Sequence, residues 1–231
     1  MKLISRLGYV GQIDTFDPWK SRESKESLVK YVADIASLSY GNDEAKNPQS
    51  LFDRIVRLGH LSCLEFVPFC GAMDYQAALP LRSIRHSMEH IDGYIYGANE
   101  IEKSLNPATG FLVECPKIIA VQWMRHRAFS YLEQSRRYVK GAKVPFTYYG
   151  EDPAFSEWYA LADQKYQEMI DKGYPAELSR LVIPQGMMTR FYVAGFDEDW
   201  LHFCRLRNDA HAQPEIHVFA AEIEKIIKEK V

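Results

Sequence analysis

No two of the four cysteines stand at C-x-x-C spacing. Cys63, Cys70, Cys115 and Cys204 are separated by 7, 45 and 89 residues, which argues against a redox dithiol or a zinc knuckle. No run approaches the roughly 18 apolar residues of a membrane helix. Met1 to Val10 carries Lys2 and Arg6 without the apolar stretch of a signal peptide. A reduced, cytoplasmic protein with no membrane partner is expected. G-x-G-x-x-G and G-x-x-x-x-G-K-[ST] are both missing, so neither a dinucleotide fingerprint nor a P-loop is available to cradle phosphates. G-x-S-x-G is missing too, and with it the nucleophile elbow. Positive charge is not in excess. Lys and Arg number 28 against 31 Asp and Glu, a net charge of −3, so nucleic acid is not held by bulk charge. Any anionic ligand has to meet a local basic cluster.

What is present suits a folded enzyme. Hydrophobic residues make up 47% of the 231-residue chain, enough apolar surface to offset chain entropy and exclude global disorder. Gly8 to Asp14 reads as a strand, and Ser21 to Leu38 has apolar residues at helical spacing. Asn47-Pro48 and Gly59 bracket a helix as N-cap, first-turn proline and C-cap. Phe66–Tyr75 reads as a strand, Pro80–Lys103 as a helix and Phe111–Glu114 as a second strand. Pro116 opens an apolar helix, and Asp152-Pro153 opens a long one that Gly173 ends. Pro175 starts a short helix. Met187–Val193 reads as a strand ended by Gly195. Helices over Glu198–Arg207 and Glu215–Lys230 finish the chain. The expected class is α+β, one domain over residues 1–231, with a mixed central sheet and flanking helices.

The most informative stretch is Gln122 to Lys143. Between Arg125 and Lys143 it holds Arg125, Arg127, Arg136, Arg137, Lys140 and Lys143 against Glu133 alone. A solvated basic face is the plain reading. The preference for arginine, whose planar fork matches phosphate oxygens, and the interleaved aromatics favour anion recognition. Gln122 and Arg125, three apart, are expected on one helix face, with Ser135 in the loop beyond. A second set follows: Arg180, His202, Arg205, Arg207, Asp209, His211 and Gln213. A third, His60, Ser62 and Glu65, follows Gly59. A lone histidine is more often structural than functional. Three separated Arg/His/Ser sets with no nucleophile–base pair suit a site that holds phosphorylated ligands by many contacts. His86-Ser87-Met88-Glu89-His90 fits H-x-x-E-H, the inverted zinc-peptidase pattern, with two histidines at metal-gripping spacing if the segment is helical. No metal is expected, because such short patterns arise by chance.

Arg125-His126-Arg127, seven residues and Ser135 form R-H-R-x7-S, which resembles the signature of the flavin-dependent thymidylate synthases. Flanking blocks agree in order: Ile35-Ala36-Ser37-Leu38-Ser39, Gly59-His60-x-Ser62-x-x-Glu65, Arg180-Leu-Val-Ile-Pro184 and Arg207-x-x-x-His211-Ala212-Gln213. The resemblance implies a homotetramer with FAD bound where subunits meet. It further implies reductive methylation of dUMP to dTMP, with methylenetetrahydrofolate and NADPH as co-substrates. By position, Gln122, Arg125, Glu133, Gln134, Ser135, Arg137, Arg180 and Arg207 would hold the nucleotide. Ser135 and Arg207 would serve the reaction, Ser135 orienting the substrate rather than attacking it. Ser39, His60, Ser62, Glu65, Arg125, His126, Arg127 and His202 would shape the flavin pocket. Related outcomes are methylation or hydroxymethylation of UMP or dCMP. The chain departs from the family where Leu132 and Phe196 replace a frequent Asn and Phe66 a frequent His. It also carries about forty extra residues near 71–109.

Overall fold

Two apolar stretches far apart in sequence are hydrogen-bonded neighbours at the centre of the molecule. Strands β5 (Ala108–Pro116) and β7 (Met188–Phe196) pair antiparallel along their full nine-residue lengths. Around them lie β1 (Lys2–Ile4), β2 (Gly8–Ile13) and β6 (Ser130–Glu133), in the order β1-β2-β5-β7-β6. The computed structural model describes residues 2–4, 8–13, 25–66, 69–70, 89–90, 108–137, 147–149 and 152–229. The α+β class holds. The five-stranded sheet is antiparallel throughout, where a mixed sheet was expected. The parallel pairing among the described residues is a two-residue ladder between β3 (Phe69–Cys70) and β4 (Glu89–His90).

Both faces of the sheet are covered, and strand alternation sorts the residues. Phe111, Val113, Cys115, Phe191 and Val193 face one core, completed by α3 (Lys117–Trp123), α6 (Asp197–Arg207) and α7 (Pro214–Lys228). Leu112, Tyr192, Ala194 and Phe196 face the other, under α1 (Lys25–Ser37), α2 (Pro48–Leu58) and a 3-10 turn over Leu61–Phe66. The first core is dominated by aromatic rings. Phe129 stacks on Trp200 at 4.1 Å, and Trp123 lies 4.7 Å from Phe203. Thr109 donates its hydroxyl to Asp197, and the Trp200 indole N–H donates to the Thr109 carbonyl at 2.9 Å. These bonds fasten the start of α6 to the central strand.

Local signals account for the helix limits. The Asn47 side chain accepts from the Ser50 N–H at 3.1 Å, and Gly59, at φ 67°, closes α2 with bonds to the Ile55 and Val56 carbonyls. Such a left-handed cap favours glycine. Asp152 caps α4 (Pro153–Asp171), and Gly173 follows its end at φ 84°. Helix α5 (Ala176–Ser179) runs into a 3-10 turn over Arg180–Val182. Gly195 does not end its strand. It lies within β7, and a Cβ there would sit 2.2 Å from the Phe129 ring, so the bare backbone makes room for that ring. The helix read over Pro80–Lys103 lies outside the described residues except for Glu89–His90, which is strand. His86 lies outside them. The His86/His90 pair therefore has no helical support at His90. No described helix is long and apolar enough to cross a membrane.

Candidate functional site

The signature segment folds as helix end, turn and strand. Helix α3 stops at Trp123. Met124 N–H still reaches the Ala120 carbonyl, but the His126 N–H bonds the Trp123 carbonyl at 2.9 Å, a tighter turn. The Tyr131 hydroxyl closes that turn by donating to the carbonyls of Trp123, at 2.6 Å, and His126, at 3.2 Å. Pairing of Ser130–Glu133 with β7 then draws the chain into the sheet. Gln122 and Arg125 consequently do not share a helix face, because Arg125 stands in the turn. Strand β6 itself was not read from the sequence, its four residues being too few for a clear alternation.

Beyond β6 the chain forms one wall of a cavity of about 510 Å³. Glu133, Gln134, Ser135 and Arg180 line it, together with Lys117 and Arg136. The backbone holds this wall from two sides. Gln134 N–H donates to the Arg190 carbonyl at 2.9 Å, and Ser135 N–H to the Ser39 carbonyl at 3.2 Å. The early serine segment and the signature serine thus meet across 96 positions of chain. Ser135 Oγ accepts from the Arg137 N–H at 3.2 Å, which leaves the hydroxyl proton to donate. Lys117 Nζ lies 2.7 and 2.5 Å from the two Glu133 carboxylate oxygens, and Thr189 donates to Glu133 Oε1 at 2.7 Å. Three cations and one carboxylate leave the lining two positive charges, a match for a phosphate monoester dianion.

A second cluster gathers around the middle of R-H-R. Arg207 Nε donates to His126 Nε2 at 2.9 Å, and its Nη2 to the Gln122 carbonyl at 3.1 Å. The Gln122 side chain donates to Gln213. Burial, with help from Arg207 and His202, pushes the His126 pKa down to about 4. The ring is therefore neutral at pH 7, and because Nε2 accepts, the proton is assigned to Nδ1. Phe203 packs edge-on against it at 4.8 Å.

The remaining sequence-read residues are dispersed. Arg125, Arg127, His60, Ser62 and His202 are exposed. His60 N–H completes the α2 cap on the Ile55 carbonyl. Glu65 stands on the 3-10 turn, and its side chain lies outside the described residues. Arg137, exposed, lies 3.4 Å from Glu177. Neither Arg137 nor Arg207 lines the cavity. Gln122, Arg125, His126 and Arg207 form a neighbourhood of their own.

Arg136 was read as part of the basic segment but not assigned to the nucleotide, and Lys117 and Thr189 were not singled out from the sequence. Lys117, a lone cation opening an apolar helix, was the readable signal. Thr189 left none. The three departures have one explanation: Phe66 and Phe196 are buried in the core under α1 and α2, and Leu132 packs against it. Cys63, Cys115 and Cys204 are buried thiols outside any disulfide. Burial pushes the Cys204 thiol up to about 12 and the Cys115 thiol well above its usual range.

The family model described as thymidylate synthase complementing protein matches residues 107–231. The flavin-dependent thymidylate synthase of Thermotoga neapolitana is 36% identical over 132 residues, 52% of this chain and 61% of that protein. That of Aquifex aeolicus is 35% identical over 151 residues, 55% of this chain and 47% of the other. That of Geobacter sulfurreducens is 27% identical over 219 residues, covering 88% and 77%. The chain thus spans about half to three-fifths of the length of the first two. A UMP/dUMP methylase, PolB from Streptomyces cacaoi bound with 5-Br UMP, aligns with a TM-score of 0.46 at 25% identity over 53% of this chain and 68% of that one. The matched region takes in both central strands, the signature turn, the cavity wall and the Arg207 cluster, more than half of the sequence, and the chain belongs to the thymidylate synthase complementing protein family.

Proposed function

We propose that the protein is a flavin-dependent enzyme that methylates carbon 5 of dUMP to give dTMP, with methylenetetrahydrofolate as carbon donor and NADPH as reductant. The observation that carries this reading is the cavity formed by Glu133, Gln134 and Ser135 with Arg180 and Arg136. It joins the end of the signature to a late arginine block and has the charge a nucleotide phosphate needs. The two arginines hold the phosphate, the Ser135 hydroxyl donates to the ligand, and Glu133 accepts from it. Ser135 has a backbone N–H as its bonding neighbour rather than a base, so it orients and does not attack.

The donors around His126 fit a flavin. A neutral imidazole with its proton at Nδ1 offers an uncharged donor, and the exposed Arg125 and Arg127 beside it offer charge to a pyrophosphate. Family resemblance adds His60, Ser62 and Ser39 to the same pocket. When bound, FAD supplies the reducing equivalents for the transferred carbon unit. Carbon 5 of uracil is a poor nucleophile, and activation by a cysteine would need a thiolate with a depressed pKa. Cys115 and Cys204 are shifted the opposite way. Cationic groups near the base that stabilise charge on the uracil oxygens serve instead.

The active unit is an assembly of copies, four by family resemblance. Among the described residues, those of the His126–Arg207 cluster do not line the cavity. Phe155, Trp158 and Leu161, each 54% exposed on α4, give apolar surface for association. The test of the function is chemical. FAD-loaded protein is incubated with methylenetetrahydrofolate, NADPH and, separately, dUMP, UMP and dCMP, and products are identified by mass. dTMP from dUMP is expected. A protein that never binds flavin, or that converts none of the three, overturns the reading.

A further inference from the structure

Lys117 has no role in the proposed reaction so far, yet its placement is specific. It is the first residue of α3, where a cation meets the positive end of the backbone dipoles, so helix formation does not call for lysine there. Its backbone is fixed: Lys117 N–H donates to the Met187 carbonyl at 2.8 Å, and Ile118 N–H to the Gln185 carbonyl at 3.0 Å. Both carbonyls belong to residues that line the same cavity. The side chain spans the wall to reach both oxygens of Glu133, at 2.7 and 2.5 Å. Thr189, projecting from β7, donates to one of the same oxygens at 2.7 Å.

An ionised carboxylate has about four acceptor positions. Oε1 takes Lys117 and Thr189, and Oε2 takes Lys117. Among the described contacts one position, on Oε2, is left. With all three engaged positions tied to a β-branched residue of the central sheet and a helix-anchored lysine, the carboxylate has a single orientation. It presents that last position as a fixed acceptor in a cavity whose other charged lining groups, Arg136 and Arg180, are donors only.

We propose that Lys117 is a positioning residue: with Thr189 it fixes the Glu133 carboxylate, so that the free position on Oε2 accepts a hydroxyl or ring N–H of the bound pyrimidine nucleotide. The inference rests on the nucleotide reading of this cavity. Lys117 also offsets the Glu133 charge, so that the lining offers the phosphate two positive charges rather than one. Without Lys117 the carboxylate is both mobile and uncompensated, and it repels the ligand that it otherwise orients.

The test is a cycle of dUMP titrations by calorimetry on the FAD-loaded enzyme: parent, Lys117→Met, Glu133→Ala and the double variant. Lys117→Met is expected to weaken dUMP binding about tenfold or more, about 1.4 kcal/mol. The same change in the Glu133→Ala background is expected to have less than a twofold effect. Lys117→Arg, which keeps the pair, should stay within about threefold of the parent. Thr189→Val, which is isosteric, should give a smaller loss that also vanishes without Glu133, and it serves if Lys117→Met does not fold. A purely structural lysine would lower the melting temperature and leave affinity unchanged, which overturns the proposal. Equal losses with and without Glu133 mean that Lys117 touches the nucleotide directly, and also overturn it. A parent protein that binds neither dUMP nor UMP refutes the nucleotide reading itself, a result distinct from either.

Discussion

Replacing Gly195 by alanine tests the packing behind the signature turn. The new Cβ would lie 2.2 Å from Cδ1 and 2.6 Å from Cε1 of Phe129, so the ring would have to move by more than an ångström. It has little freedom to do so. Phe129 is 1% exposed, stacks on Trp200 at 4.1 Å and packs edge-on to Phe203 and Tyr131. Overpacking of this kind costs about 1–3 kcal/mol. The glycine has no left-handed backbone angle, so alanine also regains about 0.4–1 kcal/mol through the unfolded chain. A net loss of about 1–2 kcal/mol follows. With a urea slope of about 3 kcal/mol per M for a chain of this size, the midpoint should fall by about 0.3–0.7 M. Trp200 fluorescence reports the same event locally. The decisive comparison is Gly195→Ala in a Phe129→Leu background, where the smaller side chain leaves room. There the alanine should cost at least about 1 kcal/mol less, a coupling typical of residues in contact. Equal costs in both backgrounds would refute the packing argument.

Other outcomes follow from the site. His126 has a folded pKa of about 4 against 6.5 unfolded. The unfolded chain therefore binds more protons between those values, and stability falls as pH drops through that window. His126→Gln should flatten the urea midpoint against pH from 6.5 to 4, and an unchanged slope would contradict the assignment. Arg180→Ala should weaken dUMP binding by about 1.5–3 kcal/mol, the range for a charge-assisted hydrogen bond, with a nearly unchanged urea midpoint, as calorimetry and denaturation would show. Combined replacement of Cys63, Cys115 and Cys204 by Ala should leave product formation by the folded, flavin-loaded protein within about tenfold of the parent, or about 1.4 kcal/mol of barrier. Complete loss of activity would restore a thiolate mechanism.

What could be read from the sequence was what rests on local chemistry. Asn47, Pro48 and Gly59 bracket α2 because a cap, a first-turn proline and a left-handed closure each act within a few residues. Glu133, Gln134 and Ser135 could be read because they are consecutive in one motif, and Arg180 because it opens another, and the fold brings the two to one cavity. Features that depend on tertiary pairing were not legible. Strand β6 exists because β7 offers an edge, and Gly195 continues that strand because Phe129 needs the space, so its usual value as a stop signal misleads. Lys117 and Thr189 gain meaning only through Glu133, 16 and 56 positions away. The bond from Arg207 to the His126 ring, 81 positions away, likewise left no mark in the sequence.

Strands β2 and β5 are hydrogen-bonded partners, with Ile13 opposite Gly110. To the sheet, everything from residue 14 to residue 109 is therefore the connection of one hairpin. A connection so long is an unusual hairpin, yet its ends are held at the spacing of a tight turn. The entropy of closing such a connection grows only with the logarithm of its length. Doubling it costs about 0.6 kcal/mol, less than one good core contact contributes. Helices α1 and α2 pack on the sheet within the same excursion. A change in the length of this connection is therefore expected to leave the β5–β7 pairing and the cavity wall in place. The length of this excursion is a quantity to which the free energy of the central sheet is nearly indifferent.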